Sequence, residues 1–407
     1  MPASATSSTP TVLFGAFDRH NFGDLLFPHV VAQMLPRRDL LFAGLAKRDL
    51  RPYGGHAICA IADVALRARE SPLDIVHVGG ELLTCDAWEA AVMLSPPDRL
   101  QAAVASANTW NEDRLAWARA TLGVAALAPY AVSKASLPHL NVNRVCFNAV
   151  GGVDLPARDP GLRTEVVNTL KSADDVSVRD RDTQATLSAS GVVARLIPDP
   201  AVMVAELFGT RIRRRAAHGA VKALLQAFPR GYAAVQFSGD FGDDDTLETV
   251  ARQLDHMAET QGLAVVLFRA AAAPWHDDLE CYRRVASRMR RAPVESFASL
   301  NLWDICALIA HSRVYCGSSL HGRIVAMAFA RPRVNVSHPA RAAQPTKQTA
   351  FAAAWEAEEI IGAVGVHDIA DAVGDALAAN QGALDHTARE LVNRYQQGFE
   401  RVRAILA

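Results

Sequence analysis

The fold turns on the stretch "GSSLHGRIVAMAFARPRVNV", residues 317–336. The segment leading into it, "HSRVYC" (311–316), reads as a short buried strand. Apolar residues at 324, 325, 327 and 328 then follow with helical spacing, and "RVNV" (333–336) returns to strand. Strand, turn, helix and strand form the repeating unit of a parallel sheet covered by helices, and ligands of such sheets dock at the turn after a strand's carboxyl end. Here that turn holds His321 among Ser318, Ser319, Gly322 and Arg323. Either serine can cap the helix, and the helix start adds partial positive charge that fits phosphate. An imidazole there can also pass a proton near neutral pH. A packed core histidine is the alternative.

The same plan recurs upstream and downstream. "TVLFGAF" (11–17), "LDIVHVGG" (73–80) and "NRVCFNAVGG" (143–152) are apolar strands, the last two running into glycines. "DDVSVRD" (174–180) and "ARLIPDP" (194–200) are shorter strands, with helical patterns at 160–172 and 181–190 between them. The basic run "RIRRRAAHG" (211–219) marks a composition break and is expected to open a new helix, as a solvated face or a contact for anionic head groups. Strands then alternate with helices again through 231–239, 246–261, 263–269, 276–291, 302–310 and 313–336. Residues 367–379 and 384–406 read as helices, the second with a seam at Leu384, Ala388, Leu391, Tyr395, Phe399, Val402 and Leu406. These patterns predict an α/β protein: a tail at 1–10, one α/β domain at 11–205, a second at 206–365, and C-terminal helices at 366–407 that pack back on the first domain.

Composition narrows the function. The chain has 407 residues, half of them hydrophobic, and a net charge of −1, which disfavours nucleic acid as a partner and leaves any anion to a local cluster. Six cysteines at 59, 85, 146, 281, 306 and 316 form no C-x-x-C pair and no metal spacing, as expected of a reduced, cytoplasmic protein. The N-terminal residues lack the basic end and apolar run of a signal peptide, and no apolar stretch is long enough to span a bilayer.

Three further motifs sit at strand ends. In "FDRHNFGD" (17–24), Asn21 and Gly23 suit a tight turn, and Asp24 begins a helix or lines a crevice. In "HVGGELLTCD" (77–86), Gly79 and Gly80 let the backbone approach another group, while Glu81 and Asp86 offer carboxylates; Asp86 reads equally as a helix N-cap. In "SVRDRD" (177–182), Arg179 can clamp a carboxylate or phosphate with parallel hydrogen bonds, or pair with an acid of the same chain. Asp199, in "PDP" (198–200), reads as structural.

Taken together, "NFGD" (21–24), "GGELL" (79–83), "VSVRD" (176–180) and "SSLHGRIVA" (318–326) resemble, in order and spacing, the polysaccharide pyruvyl transferase family. The resemblance implies two Rossmann-like domains facing across a cleft, as in GT-B glycosyltransferases. It implies transfer of the enolpyruvyl unit of phosphoenolpyruvate to a sugar or lipid-linked oligosaccharide, forming a pyruvate ketal with no cofactor or metal. Such a protein would work in the cytoplasm, with peripheral contact at the inner face of the membrane. On that reading His321, Asp24 and Asp86 are candidate catalytic residues. Asn21, Gly23, Gly79, Gly80, Glu81, Arg179, Ser318, Ser319, Gly322 and Arg323 are candidate substrate-binding residues. Two departures keep other readings open: Ser319 stands where many relatives carry arginine, and Glu81 where a third glycine is common. A GT-B glycosyltransferase would bind a nucleotide sugar, and a non-catalytic relative would bind glycan without releasing phosphate.

Overall fold

A computed structural model describes residues 9–67, 72–96, 111–138, 140–341, 345–357, 360 and 362–407. The first sheet contains β1 (Thr11–Phe14), β2 (Leu40–Gly44), β3 (Arg48–Asp49), β4 (Ala57–Ala60), β5 (Leu73–His77), β6 (Val142–Val150), β7 (Asp175–Val178) and β8 (Arg195–Leu196), in the order 3-4-2-1-5-6-7-8. The second contains β9 (Tyr232–Gln236), β10 (Ala264–Phe268), β11 (Val294–Phe297), β12 (Val314–Gly317), β13 (Arg333–Val336) and β14 (Ala363–Val364), in the order 11-10-9-12-13-14. Apart from the antiparallel β3–β4 pair, neighbouring strands run parallel.

Strand order reverses between β1 and β5 in the first sheet and between β9 and β12 in the second. At such switch points the flanking helices depart to opposite faces and leave a crevice outside the strands' carboxyl ends. The four turns that follow these strands carry Arg19 to Asp24, Gly79 to Glu81, Ser238, and Ser318 to His321. The chemistry-bearing stretches of the sequence therefore lie where the topology opens the sheet.

Side-chain alternation along the strands sorts the core into layers. Val12, Phe14 and Ile75 enter one apolar cluster, while Leu13 and Val76 enter another. In the second sheet Ala233, Val235, Val265 and Leu267 pack outward, and Ala234, Val266 and Tyr315 join the cluster that holds Leu13. One apolar layer thus continues from lobe to lobe, through helix Phe22–Met34, helix Leu302–His311 and helix Leu320–Ala328. Backbone bonds reinforce it: Phe22 N–H donates to the Ala270 carbonyl (2.9 Å), and Ala272 N–H to the His20 carbonyl (3.2 Å).

Helix Gln381–Leu406 crosses back to the first lobe. Its buried residues Leu384, Leu391, Tyr395, Phe399, Val402 and Leu406 are the seam read from sequence, with Ala388 half-buried beside them. Asn148 of β6 donates to the Tyr395 hydroxyl (3.0 Å), Arg195 of β8 to the Gly398 carbonyl (2.8 Å), and Arg403 to the Met34 carbonyl (2.8 Å).

The structure differs from the sequence reading in several places. The arginines at 211–215 end helix Val204–Ala216 instead of opening a helix, which places cationic side chains at its negative C-terminal end. Strands β2, β3, β4, β11 and β14 were not expected; most are short or half-exposed and carry little periodic signal. Of the expected N-terminal tail, residues 1–8 lie outside the described residues. All six cysteines are free thiols. No helix among the described residues is long and apolar enough to cross a membrane.

Two outcomes follow from the packing. Phe399→Ala should cost about 3–5 kcal/mol in a denaturant titration, because a wholly buried ring between the last helix and the first lobe would leave a cavity; a loss below about 1 kcal/mol would contradict the docking of that helix. His77 stacks on Phe147 (3.7 Å), accepts from Val132 N–H (3.2 Å) and lies 3.3 Å from the Cys146 carbonyl. Burial lowers its pKa to about 3. The folded state therefore keeps the ring neutral while the unfolded chain takes up a proton below about 6.5. Stability present above that pH should fall as pH drops toward the folded value, with a limiting slope of about 1.4 kcal/mol per pH unit for this ring. Unfolding at pH 7.5, 6 and 5 should show the slope and His77→Phe should reduce it by this ring's share, the other buried histidines His29, His56 and His276 keeping theirs; an unchanged slope would contradict the assignment.

Candidate functional site

A cleft of about 380 Å³ opens at the two switch points. The first lobe lines it with Arg19, Asn21, Asp24, Glu81, Asp154, Arg158 and Arg179. The second contributes Gln236, Ser238, Asp240, Trp275, His276, Asp277, Ser318, Ser319, His321 and Lys347.

The turn after β12 is tied to the end of β9. Ser319 N–H donates to Gln236 Oε1 (2.8 Å), and Ser238 N–H donates to Ser318 Oγ (3.0 Å). Ser319 caps helix Leu320–Ala328, accepting from Gly322 N–H (3.2 Å). The N–H groups of Leu320 and His321, in the first turn, have no intrahelical acceptor. The His321 ring packs edge-on against Phe27 of the opposite lobe (5.1 Å). A methyl group on Gly23 would stand 2.0 Å from its Nδ1, so the glycine of "NFGD" is there to admit the ring. Gly322 likewise admits the Tyr315 ring, which a Cβ would meet at 2.4 Å. Gly79 and Gly80 adopt φ of +123° and +97°. Those conformations turn the chain after β5 and present Glu81 to the cleft.

Beneath His321 runs a chain of charge. Nε2 of His321 is buried without a hydrogen-bond partner, 3.8 Å from Asp199 Oδ2. The same carboxylate accepts from Arg179 Nη1 (3.0 Å), and Arg179 Nη2 donates to Glu81 (2.6 Å). Asp199 is wholly buried; burial alone would raise its pKa, but His321 and Arg179 outweigh it and hold the group below the usual carboxylate range. Burial opposes the charge on Arg179, and Glu81 and Asp199 more than offset it.

Three expectations are thereby corrected. Arg179 is not a free clamp: two of its nitrogens are spent on Glu81 and Asp199, and the acid at 81 is the counter-ion of the arginine beneath it. Asp86 lies outside the cleft lining and caps helix Ala87–Leu94, accepting from Glu89 N–H (2.7 Å) in a reciprocal capping box. Arg323 is wholly buried on the other side of its helix, donating to Glu356 (2.6 Å), Asn335 (3.2 Å) and the Gly362 carbonyl (2.9 Å). One turn of helix cannot aim residues 321 and 323 the same way. Asn21, Asp24, Glu81, Ser318, Ser319 and His321 do come together along the cleft.

The structure adds groups that were passed over. Arg19 donates to the Tyr130 hydroxyl (3.0 Å), which in turn donates to buried Asp18 (2.7 Å). Its Nε is buried without a partner, and Asp24 stands 3.9 Å from Nη2. Lys347 starts a helix capped by Thr346, and among the described residues no carboxylate pairs with it. His276 lies in the field of both cations; burial first, then Arg19 and Lys347, lower its pKa to about 4, so the ring is neutral. Its Nδ1 donates to the Pro274 carbonyl (2.9 Å), leaving Nε2 as an acceptor. Burial pushes Asp277 up to about 7 despite N–H donors from Ala270 (2.6 Å) and Gln236 (2.8 Å). Arg19 stood inside a motif already singled out, and the T-K-Q-T pattern at 346–349 is a capping signal that could have flagged Lys347. Among the described residues no group of three or more His, Cys, Asp or Glu is arranged to hold a metal ion.

Comparison with solved structures agrees with the topology. The chain is similar to UDP-N-acetylglucosamine 2-epimerase from Rickettsia bellii (TM-score 0.56, 9% identity, 98% of this chain and 97% of that one). It is also similar to the Methanocaldococcus jannaschii UDP-GlcNAc 2-epimerase solved with UDP-GlcNAc and UDP (0.54, 10%, 95% and 98%). A third is Anabaena Alr3699/HepE in complex with UDP-glucose (0.52, 12%, 97% and 99%). At these identities the likeness establishes the GT-B fold alone. No curated protein matches the sequence. The family model for polysaccharide pyruvyl transferase matches residues 21–339, from the asparagine of "NFGD" through the His321 turn to the end of β13 and beyond, and the chain belongs to that family.

Proposed function

We propose that this protein transfers the enolpyruvyl unit of phosphoenolpyruvate to two hydroxyls of a sugar, forming a cyclic pyruvate ketal and inorganic phosphate. The observation that carries the reading is a pair of cationic groups in the same cleft as the His321 helix start: Lys347, which no carboxylate among the described residues pairs, and Arg19, whose buried Nε has no partner although its other nitrogens meet Tyr130 and Asp24. Phosphoenolpyruvate bears a carboxylate and a phosphate on three carbons. Two cations and a helix's free N–H groups suit two closely spaced anions.

The reaction adds a proton to the methylene carbon of the donor, making the oxygen-bearing carbon electrophilic. One sugar hydroxyl forms a C–O bond there, the C–O bond to phosphate breaks, and a second hydroxyl closes the ring. Of the two hydroxyl protons lost, one replaces the proton given to the methylene and the other leaves with phosphate. His321 is the proton donor in this scheme. Asp199, whose Oδ2 lies 3.8 Å from Nε2, acts as a positioning residue for the ring. Asp24, buried and lining the cleft, is placed to accept from a sugar hydroxyl. Arg19, Lys347 and the helix start stabilise the departing phosphate. Every step is drawn with side chains of this chain and needs no cofactor.

Phosphate release from phosphoenolpyruvate, measured across a panel of glycosides, tests the reading; consumption of a nucleotide sugar in its place would replace it. His321→Ala should remove transfer and also lower the melting temperature, because the ring is buried against Phe27 and Gly23; full activity in that variant would end the assignment. Lys347→Ala should weaken donor binding by about 1.5–3 kcal/mol, read by calorimetry. By contrast, Arg179→Ala should destabilise the fold by about 3–5 kcal/mol, because it strands Asp199 as a buried, unpaired charge. Equal stability with a selective loss of donor affinity would return Arg179 to the binding role.

A further inference from the structure

Trp275 is the anomaly of the cleft. It lines the cavity, yet 53% of its surface stays exposed. Its backbone sits at φ +63°, a left-handed conformation that glycine adopts freely and a bulky residue adopts rarely. The loop around it is held from both sides. Ala270 N–H donates to Asp277, Gly239 N–H donates to the His276 carbonyl (2.8 Å), and the N–H groups of Ala272 and Ala273 reach the His20 carbonyl of the opposite lobe. These contacts force the conformation, and the indole gains only partial burial in return. Strain that persists in a rigid loop, with an apolar ring left toward water inside a cleft, points to a ligand that covers it.

We propose that Trp275 is the stacking platform for the acceptor, taking the apolar C–H face of a pyranose ring on its indole. The proposal rests on the reading of this cleft as a sugar-acceptor site, and it names the residue that selects the sugar. Asp24, Asp154 and Asp240 line the same cleft and accept hydrogen bonds from hydroxyls. A nucleotide would also offer a flat face, but its diphosphate would meet those carboxylates. Two of the nearby arginines are already spent: Arg179 on Glu81 and Asp199, Arg158 on Glu89 (2.7 Å). The cleft therefore suits one small anion beside a neutral, hydroxyl-rich partner.

The test uses the full chain and a panel of methyl hexosides and methyl N-acetylhexosaminides, with binding read by calorimetry and tryptophan fluorescence in the absence of phosphoenolpyruvate. At least one glycoside should bind and perturb the emission. Trp275→Ala and Trp275→Gly should lose roughly tenfold or more of that affinity, Trp275→Phe should keep most of it, and donor affinity should not change. Trp275→Gly should also keep or raise the melting temperature, because it relieves the left-handed strain; a purely structural tryptophan would lower it. Binding by Trp275→Ala as tight as wild type, a marked fall in stability of Trp275→Gly, or uridine monophosphate as the sole ligand to quench the indole would each overturn the proposal. Glycoside binding without phosphate release from phosphoenolpyruvate would instead reject the reaction and leave the platform standing.

Discussion

Asp199 is a carboxylate that water does not reach, and a buried charge persists only if it is paired. Its partners are Arg179, from the end of β7, and His321, from the second lobe. Arg179 is itself neutralised on its other side by Glu81, from the turn after β5. One chain of charge therefore links three of the turns that build the cleft. The apolar layer shared by both sheets supplies the area that holds the lobes together, while this polar chain sets their register at the site.

The cleft separates structural charge from functional charge. Arg179, Arg323 and Arg333 are the larger buried cations, and each is spent on a carboxylate of the fold. Arg19 retains a buried Nε without a partner and Lys347 has no carboxylate partner among the described residues; burial, and after it the field of these two cations, lowers the pKa of His276. An arginine in a motif is thus weak evidence for anion binding until its partners are known. The cleft sets carboxylates from both lobes against a few cations, and the proposed reaction is built on that balance.

Much of the architecture was legible in the chain. Strand β10 is buried on both faces and reads as an unbroken hydrophobic run, and the amphipathic last helix announced its seam. The turns around Asn21, Gly79 and His321 were visible because glycine and polar residues interrupt those runs. What was hidden depended on distance in sequence. Nothing local to Arg179 says that Glu81, 98 residues away, will neutralise it. Nothing local to Gly23 says that an imidazole from residue 321 will lie on it. For Asp86 the N-cap alternative read from the sequence is the one the structure shows, and Arg323 points away from the cleft because neighbourhood in sequence does not set the direction of a side chain on a helix. Asp199 read as a stiff structural turn, and its pairing with His321 emerges only when the lobes are brought together.

The most direct measurement is a crystal structure of the protein with phosphoenolpyruvate. The account predicts the phosphate and carboxylate between Arg19, Lys347 and the first turn of helix Leu320–Ala328, with the methylene carbon toward His321 and the Arg179–Asp199 pair intact. A donor seated on Arg179 with that pair broken, or a cleft that takes up a nucleotide sugar and excludes phosphoenolpyruvate, would contradict it.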